Sequence, residues 1–148
     1  MTRAELTEKI IDIKREKGWS WKHIHEKIGG TSPVLLVGAL LGQMKLTKPQ
    51  AANAADLFGL SKAEAALLNE VPMRGAGVPM PPTDPLIYRW YEIVNVYGTT
   101  LKELIHEEFG DGIMSAIDFS MDIQREANEK GDRVRVEMSG KFLPYKTY

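Results

Sequence analysis

The sequence lacks cysteine, has no marked excess of charge of either sign, and contains no long apolar run. Without cysteine, disulfide bonds, cysteine zinc sites, iron–sulfur clusters and thiol nucleophiles are excluded. The 19 Lys and Arg residues nearly balance the 20 Asp and Glu residues, so no overall basic field favours non-specific binding of nucleic acid. The longest apolar run, around residues 34 to 41, is too short to span a bilayer, and the N-terminal residues lack the apolar core of a signal peptide. We therefore expect a cytoplasmic protein without a membrane partner.

The residues that are present are typical of a globular α+β protein. The 148 residues, 43% of them hydrophobic, suffice for one ordinary domain or two small ones. Before residue 71, helix-start signals and apolar residues at three- and four-residue spacing predict five short helices. Four of the predicted starts are Thr2 with Glu5, Ser32 with Pro33, Thr47 with Gln50, and Ser61 with Glu64. We therefore predict a helical bundle domain over residues 1–71.

Residues 72–85 hold five prolines and two glycines, which favour an extended linker. A helix is predicted from Asp84 and Pro85 to about residue 97, ended by Gly98, and a second one from Thr100 to Gly110. From residue 113 the apolar residues recur with a period of two, and a turn at 129–132 leads to a second alternating segment at 133–138. The predicted C-terminal domain, residues 86–148, is therefore two helices followed by a β-hairpin.

A two-stranded hairpin is marginally stable in water, and two helices cover it incompletely. Its edge strands would expose unpaired backbone groups, which commonly pair with another chain. We therefore expect an obligate homo-oligomer that assembles through the C-terminal domain.

The first half of the chain also suggests an alternative function, DNA binding. The segment from Trp19 to Gln43 has the helix, glycine turn and second helix of a helix-turn-helix, and five short helices are the layout of a lambda-repressor-like domain. Its second helix, however, carries PVLLVGALLG at 33–42, which offers no hydrogen-bonding side chain to a base. Packing inside the bundle or against a neighbouring subunit explains that helix better, and Trp19 and Trp21 more often lie in a core than stack on bases. A regulator that oligomerises through its C-terminal domain is the alternative, and a scaffold without chemistry is a third possibility.

Three residues of the C-terminal half are candidates for chemistry. Arg89 and Glu92 lie on one face of the predicted helix, either as an ordinary exposed ion pair or, given the bulky apolar residues around them, as a partly buried pair in a site. Ser115 shares the apolar face of its strand, so its hydroxyl requires a partner, either a backbone carbonyl or a bound polar ligand. The sequence has no G-x-S-x-G motif and no histidine near Ser115, which argues against a serine hydrolase.

Two further features have simple structural explanations. Gly110-Asp111-Gly112 most simply forms a tight turn, although its N–H groups could also line an anion pocket. His23 and His25 diverge on a helix, and His106 lacks the second histidine of an H-E-x-x-H motif. We therefore predict no metal site.

Two C-terminal segments resemble the cyanate hydratase (cyanase) family. They are LIYRWYEIVNVYGTTLKELIHEEFGDGIMSAIDF at 86–119 and GKFLPYKTY at 140–148, and LLGQMKLTKPQA at 40–51 fits the N-terminal part of the same family. The family's catalytic trio is an arginine, a glutamate three residues later and a serine 23 residues after that, which Arg89, Glu92 and Ser115 match. The resemblance implies a lambda-repressor-like bundle that does not act on DNA.

The resemblance also implies a reaction and an assembly. Cyanate and the co-substrate bicarbonate would give carbamate and carbon dioxide, and carbamate would then release ammonia, with no cofactor. The assembly would be a decamer of five dimers, with interlocked C-terminal hairpins and active sites between subunits.

Overall fold

The computed structural model describes residues 1–30 and 32–147. Thr31, in the predicted turn before Ser32, and Tyr148, at the end of the predicted C-terminal domain, lie outside the described residues. In the described part the elements, in chain order, are α1 (Arg3–Lys17), α2 (Trp21–Ile28), α3 (Pro33–Leu40), α4 (Lys48–Phe58), α5 (Lys62–Asn69), α6 (Pro85–Phe109), β1 (Gly112–Glu126) and β2 (Arg133–Pro144). The two strands form one antiparallel sheet, so the predicted α+β class is confirmed.

The four predicted helix starts among α1–α5 are found, because each is encoded by neighbouring residues. Thr2, Thr47 and Ser61 each accept a hydrogen bond from the backbone N–H three residues later, and the side chain of that later residue accepts one from the backbone N–H of the cap. Ser32 caps α3 in the simpler way, with Pro33 as the first helical residue. These contacts satisfy donors that every helix start leaves without an intrahelical partner.

Helices α1–α5 share one hydrophobic core. Its buried residues are Leu6, Ile10, Ile24, Ile28, Leu36, Ala39, Leu40, Leu46, Ala51, Ala54, Phe58 and Leu68. Every one of the five helices contributes to this set, so none of them depends on intrinsic helix propensity alone. Short helices of eight residues, such as α2, α3 and α5, are stabilised by this packing.

The predicted break at Gly98 is wrong, because α6 is one helix of 25 residues. Asp84 caps its start by accepting hydrogen bonds from the N–H groups of Leu86 and Ile87. Gly98 does not have a positive φ angle, and a glycine inside a helix costs only about 1 kcal/mol relative to alanine. Gly98 therefore continues the helix, and Thr100 lies within it.

The predicted half-buried strand is only partly correct. Strand β1 forms, but its apolar face is only partly covered in the single chain: Ile113 and Ile123 are exposed and Ile117 is 99% exposed, whereas Phe119 and Met121 are half-buried. Helix α6 likewise has no buried residue. An apolar period of two predicts a strand, but it does not specify what packs against that strand. Burial depends on this packing.

The chain divides into two compact units, Met1–Ala76 with Ser120–Met138, and Gly77–Phe119 with Ser139–Tyr148. In the first unit, Ser32 Oγ donates a hydrogen bond of 2.8 Å to the carbonyl of Met121, which ties the start of α3 to the outer part of the hairpin. The second unit contains α6 and the inner part of the hairpin. Among the described residues no helix has both the length and the apolar character needed to cross a membrane.

Candidate active site

Arg89 and Glu92 lie one helical turn apart near the start of α6. Their side chains form an ion pair in which Arg89 Nη1 is 3.4 Å from Glu92 Oε2. The guanidinium carbon also lies 5.9 Å from the centre of the Tyr88 ring, within the range of a cation–π contact. The helix therefore places a positive group with one loosely bound carboxylate partner on its surface.

The expected partial burial of this pair is not found in the single chain. The side chains of Arg89 and Glu92 are 62% and 51% exposed. Their bulky neighbours Trp90 and Tyr91 are exposed too, so they do not bury the ion pair. An ion pair this exposed contributes roughly 0 to 1 kcal/mol to stability. The ion pair of Arg89 therefore contributes little to the stability of the fold, and its guanidinium is accessible to an anion.

Ser115, by contrast, is buried and only 5% exposed. Its hydroxyl oxygen accepts hydrogen bonds from the N–H groups of Ile117 at 3.0 Å and Asp118 at 2.9 Å. Backbone N–H groups thus partner the hydroxyl, where the sequence suggested a carbonyl or a ligand. A serine hydroxyl has two acceptor positions and one proton to donate, so these bonds leave only the proton for another partner. None of the hydrogen bonds found over the described ranges uses that proton.

The single chain brings Arg89 and Glu92 together but does not join Ser115 to them. No hydrogen bond or ion pair among residues 1–30 and 32–147 links Ser115 to either side chain. All three residues nevertheless belong to the same compact unit.

The Gly110-Asp111-Gly112 segment joins α6 to β1, and the N–H of Gly110 is not free for an anion. The Gly110 N–H donates to the carbonyl of His106 at 2.9 Å, so it is already engaged. His106 Nδ1 lies 2.9 Å from the Gly110 carbonyl, and since a carbonyl can only accept, Nδ1 must be the donor. Gly110 has a φ of 88° and a ψ of −165°, a positive-φ conformation that glycine adopts readily.

No metal-binding cluster is found in the part of the chain that the structure describes. There, no group of three or more His, Asp or Glu side chains is arranged to hold a metal ion. His25 Nε2 instead lies 2.9 Å from the Gly30 carbonyl at the end of α2.

Helix α3, which would have to read DNA in the alternative function, contributes Leu36, Ala39 and Leu40 to the core. Trp19 packs edge-on against Phe58 with 5.9 Å between ring centres, as expected of a core residue. Both observations favour packing over contact with bases.

The sequence analysis did not single out Gly140, which lies on β2 directly beside Ser115. A Cβ atom at Gly140 would lie 2.3 Å from the carbonyl oxygen of Ser115. A glycine inside a strand is itself a sign of close backbone approach and could have identified this position.

Two family models together match nearly the whole chain. Residues 3–72 match the model described as the N-terminal part of cyanate hydratase, and residues 79–147 match the cyanate lyase C-terminal domain. These matches define the chain as a lyase.

Individual relatives agree with the family models. The chain is 60% identical to proteins named cyanate hydratase from Variovorax paradoxus (strain S110) and Methylibium petroleiphilum (strain ATCC BAA-1232 / LMG 22953 / PM1), over 100% of each sequence. A crystal structure of cyanase from T. urticae has a TM-score of 0.81 and 39% sequence identity, and the match covers 94% of this chain and 96% of that one. The chain therefore belongs to the cyanate hydratase family, and the resemblance noted in its sequence is confirmed.

Proposed function

We propose that the chain catalyses the bicarbonate-dependent decomposition of cyanate. Cyanate, bicarbonate and one proton would give carbamate and carbon dioxide, and carbamate with a second proton would give ammonia and another carbon dioxide. Full-length similarity to proteins named cyanate hydratase supports the substrate. The observation that carries the assignment of the site is the exposed guanidinium of Arg89, which has a single loose carboxylate partner.

The chemistry requires a fixed positive charge. Bicarbonate must add to the carbon of another anion, and two unit charges about 4 Å apart repel by roughly 4 kcal/mol at an effective dielectric constant of about 20. Arg89 suits this role because guanidinium stays protonated and binds planar or linear anions through several donors. Glu92, which contacts Arg89, orients it and assists proton movement.

Ser115 serves as a hydrogen-bond donor to cyanate or to the developing adduct. The N–H groups of Ile117 and Asp118 occupy its acceptor positions, so its proton is directed towards a different partner. A covalent role would need a base to remove that proton, and no such base contacts the hydroxyl within the described ranges. The proposed reaction uses no cofactor and no metal ion.

The proposed assembly is a homo-oligomer, a decamer of five dimers with interlocked hairpins, whose active sites form between subunits. The lack of any buried residue on α6 supports a neighbouring subunit there, as does the exposure of Ile117 on β1. Copies of Arg89 from adjacent chains would then meet, and assembly would supply the burial that one chain lacks. We further propose that the N-terminal domain is a lambda-repressor-like bundle without a nucleic-acid partner. The enzyme is proposed to be cytoplasmic.

The test is ammonia release from purified protein given cyanate, with and without bicarbonate, for the wild type and for Arg89→Ala and Ser115→Ala. Arg15→Ala is the matched control, since Arg15 also pairs with a carboxylate three residues away on an exposed helix surface, Asp12 at 2.6 Å. Light scattering would establish that every variant assembles.

We expect release that depends on bicarbonate, survives in Arg15→Ala and falls strongly in the two site variants. A well-assembled wild type that releases no ammonia would refute the proposed activity. Full activity in an assembled Arg89→Ala or Ser115→Ala would refute the proposed role of that residue.

A further inference from the structure

Strand β2 passes so close to the peptide of Ser115 that only a glycine fits at position 140. We propose that Gly140 is a positioning residue for Ser115, because its missing side chain lets the backbone of β2 hold the serine in place. The inference rests on the proposed donor role of Ser115.

The crowding at Gly140 is severe and involves backbone. A Cβ atom there would lie 2.3 Å from the carbonyl oxygen of Ser115 and 2.6 Å from Cγ of Met114, whereas real Cβ atoms essentially never approach within 3.0 Å. The Met114 side chain could rotate away, but the Ser115 carbonyl moves only with the strand. Gly140 does not have a positive φ angle, so space rather than backbone conformation demands the glycine.

The crowded peptide directly precedes the two peptides that hold the serine hydroxyl. The Ser115 carbonyl belongs to the Ser115–Ala116 peptide, and the N–H groups of the next two peptides, those of Ile117 and Asp118, donate to the hydroxyl oxygen at 3.0 and 2.9 Å. Moving the carbonyl from 2.3 Å to at least 3.0 Å from a new Cβ would shift this peptide by about 0.7 Å. Misplacement of a catalytic group by about 1 Å can lower the rate by roughly 100-fold.

Gly112 provides a matched control in the same hairpin. A Cβ atom there would lie 2.4 Å from the Leu143 carbonyl oxygen and 2.4 Å from Cζ of Phe142, which is comparable crowding that does not involve the Ser115 peptide. Gly112→Ala should therefore disturb the hairpin to a similar degree without pushing on the serine.

The experiment measures kcat and KM for cyanate in assembled Gly140→Ala, Gly112→Ala, Ser115→Ala and the double variant Gly140→Ala/Ser115→Ala. Residual turnover of the slow variants is measured at high enzyme concentration. The inhibition constant of azide, an anion with the charge and linear shape of cyanate, provides a second readout. We expect Gly140→Ala to lower kcat/KM by roughly 10- to 100-fold, and Gly112→Ala to lower the melting temperature similarly but retain most activity.

The double variant distinguishes positioning from general structural damage. If Gly140 acts through the serine, its substitution should change kcat/KM less than about twofold once Ser115 is alanine, whereas independent effects would multiply. The inference would be overturned if the losses of kcat/KM multiply in the double variant. It would also be overturned if Gly140→Ala keeps full activity or fails to assemble. If Ser115→Ala itself keeps full turnover, the proposed role of Ser115 is refuted, and the inference about Gly140 is refuted with it.

Discussion

Replacing Arg89 by lysine separates the two properties that the proposed site requires of this residue, its charge and its planar set of donors. Lysine keeps the positive charge but loses the fork that can hold an anion through two parallel hydrogen bonds. In the structure only Nη1 contacts Glu92, at 3.4 Å, so the rest of the guanidinium stays available to substrate. Loss of one hydrogen bond to a charged group is worth about 1.5 to 3 kcal/mol. We therefore expect Arg89→Lys to lower kcat/KM by roughly 10- to 160-fold.

Arg89→Ala should be slower still, because the repulsion of roughly 4 kcal/mol between the two anions would then go unopposed. The assay is initial ammonia release at several cyanate and bicarbonate concentrations, with Arg15→Lys as the control on another exposed helical pair. An Arg89→Lys enzyme as fast as the wild type would refute the need for the fork. Equal rates for the lysine and alanine variants would refute the electrostatic argument.

Two further predictions concern stability. Hydrogen bonds from Lys9 and from Ser61 lower the pKa of Glu64 from its ordinary value near 4.5 to about 2, so the stabilisation it provides is present above about pH 4.5 and is lost as the pH falls towards 2. In chemical unfolding, Glu64→Gln should therefore have a lower free energy of unfolding than the wild type at pH 7, and the difference should disappear near pH 2. A difference that does not depend on pH would contradict this. Asp84→Ala should destabilise the start of α6 by about 1 kcal/mol and speed hydrogen exchange at the Leu86 and Ile87 amides, while Asp84→Asn should retain the cap. Unchanged exchange in Asp84→Ala would show that the cap contributes nothing.

The helix starts of the first domain were predictable because each depends on residues within one turn. Thr2 and Glu5 satisfy each other's backbone donors regardless of the rest of the chain, and Thr47 with Gln50 does the same. The helix ends at Gly18 and Gly59 are also local features, since both glycines adopt the left-handed conformation that other residues rarely take.

The predicted helix end at Gly98 was wrong because a single glycine is only a weak signal for the end of a helix. A glycine inside a helix costs only about 1 kcal/mol relative to alanine, and α6 runs through it over 25 residues. The predicted helix start at Thr100 illustrates the same limit, since Thr100 lies inside α6.

The sequence by itself determined the α+β class, the helix starts and the spacing of Arg89, Glu92 and Ser115, through which the family resemblance was recognised. The tertiary structure decided what surrounds these residues: an exposed Arg89, a buried Ser115 held by two N–H groups, and Gly140 against the serine's carbonyl. The physical reason is the range of the interactions. Caps and helical spacing act within about four residues, whereas burial and the contact of Gly140 with Ser115 depend on strands that come together only when the chain folds.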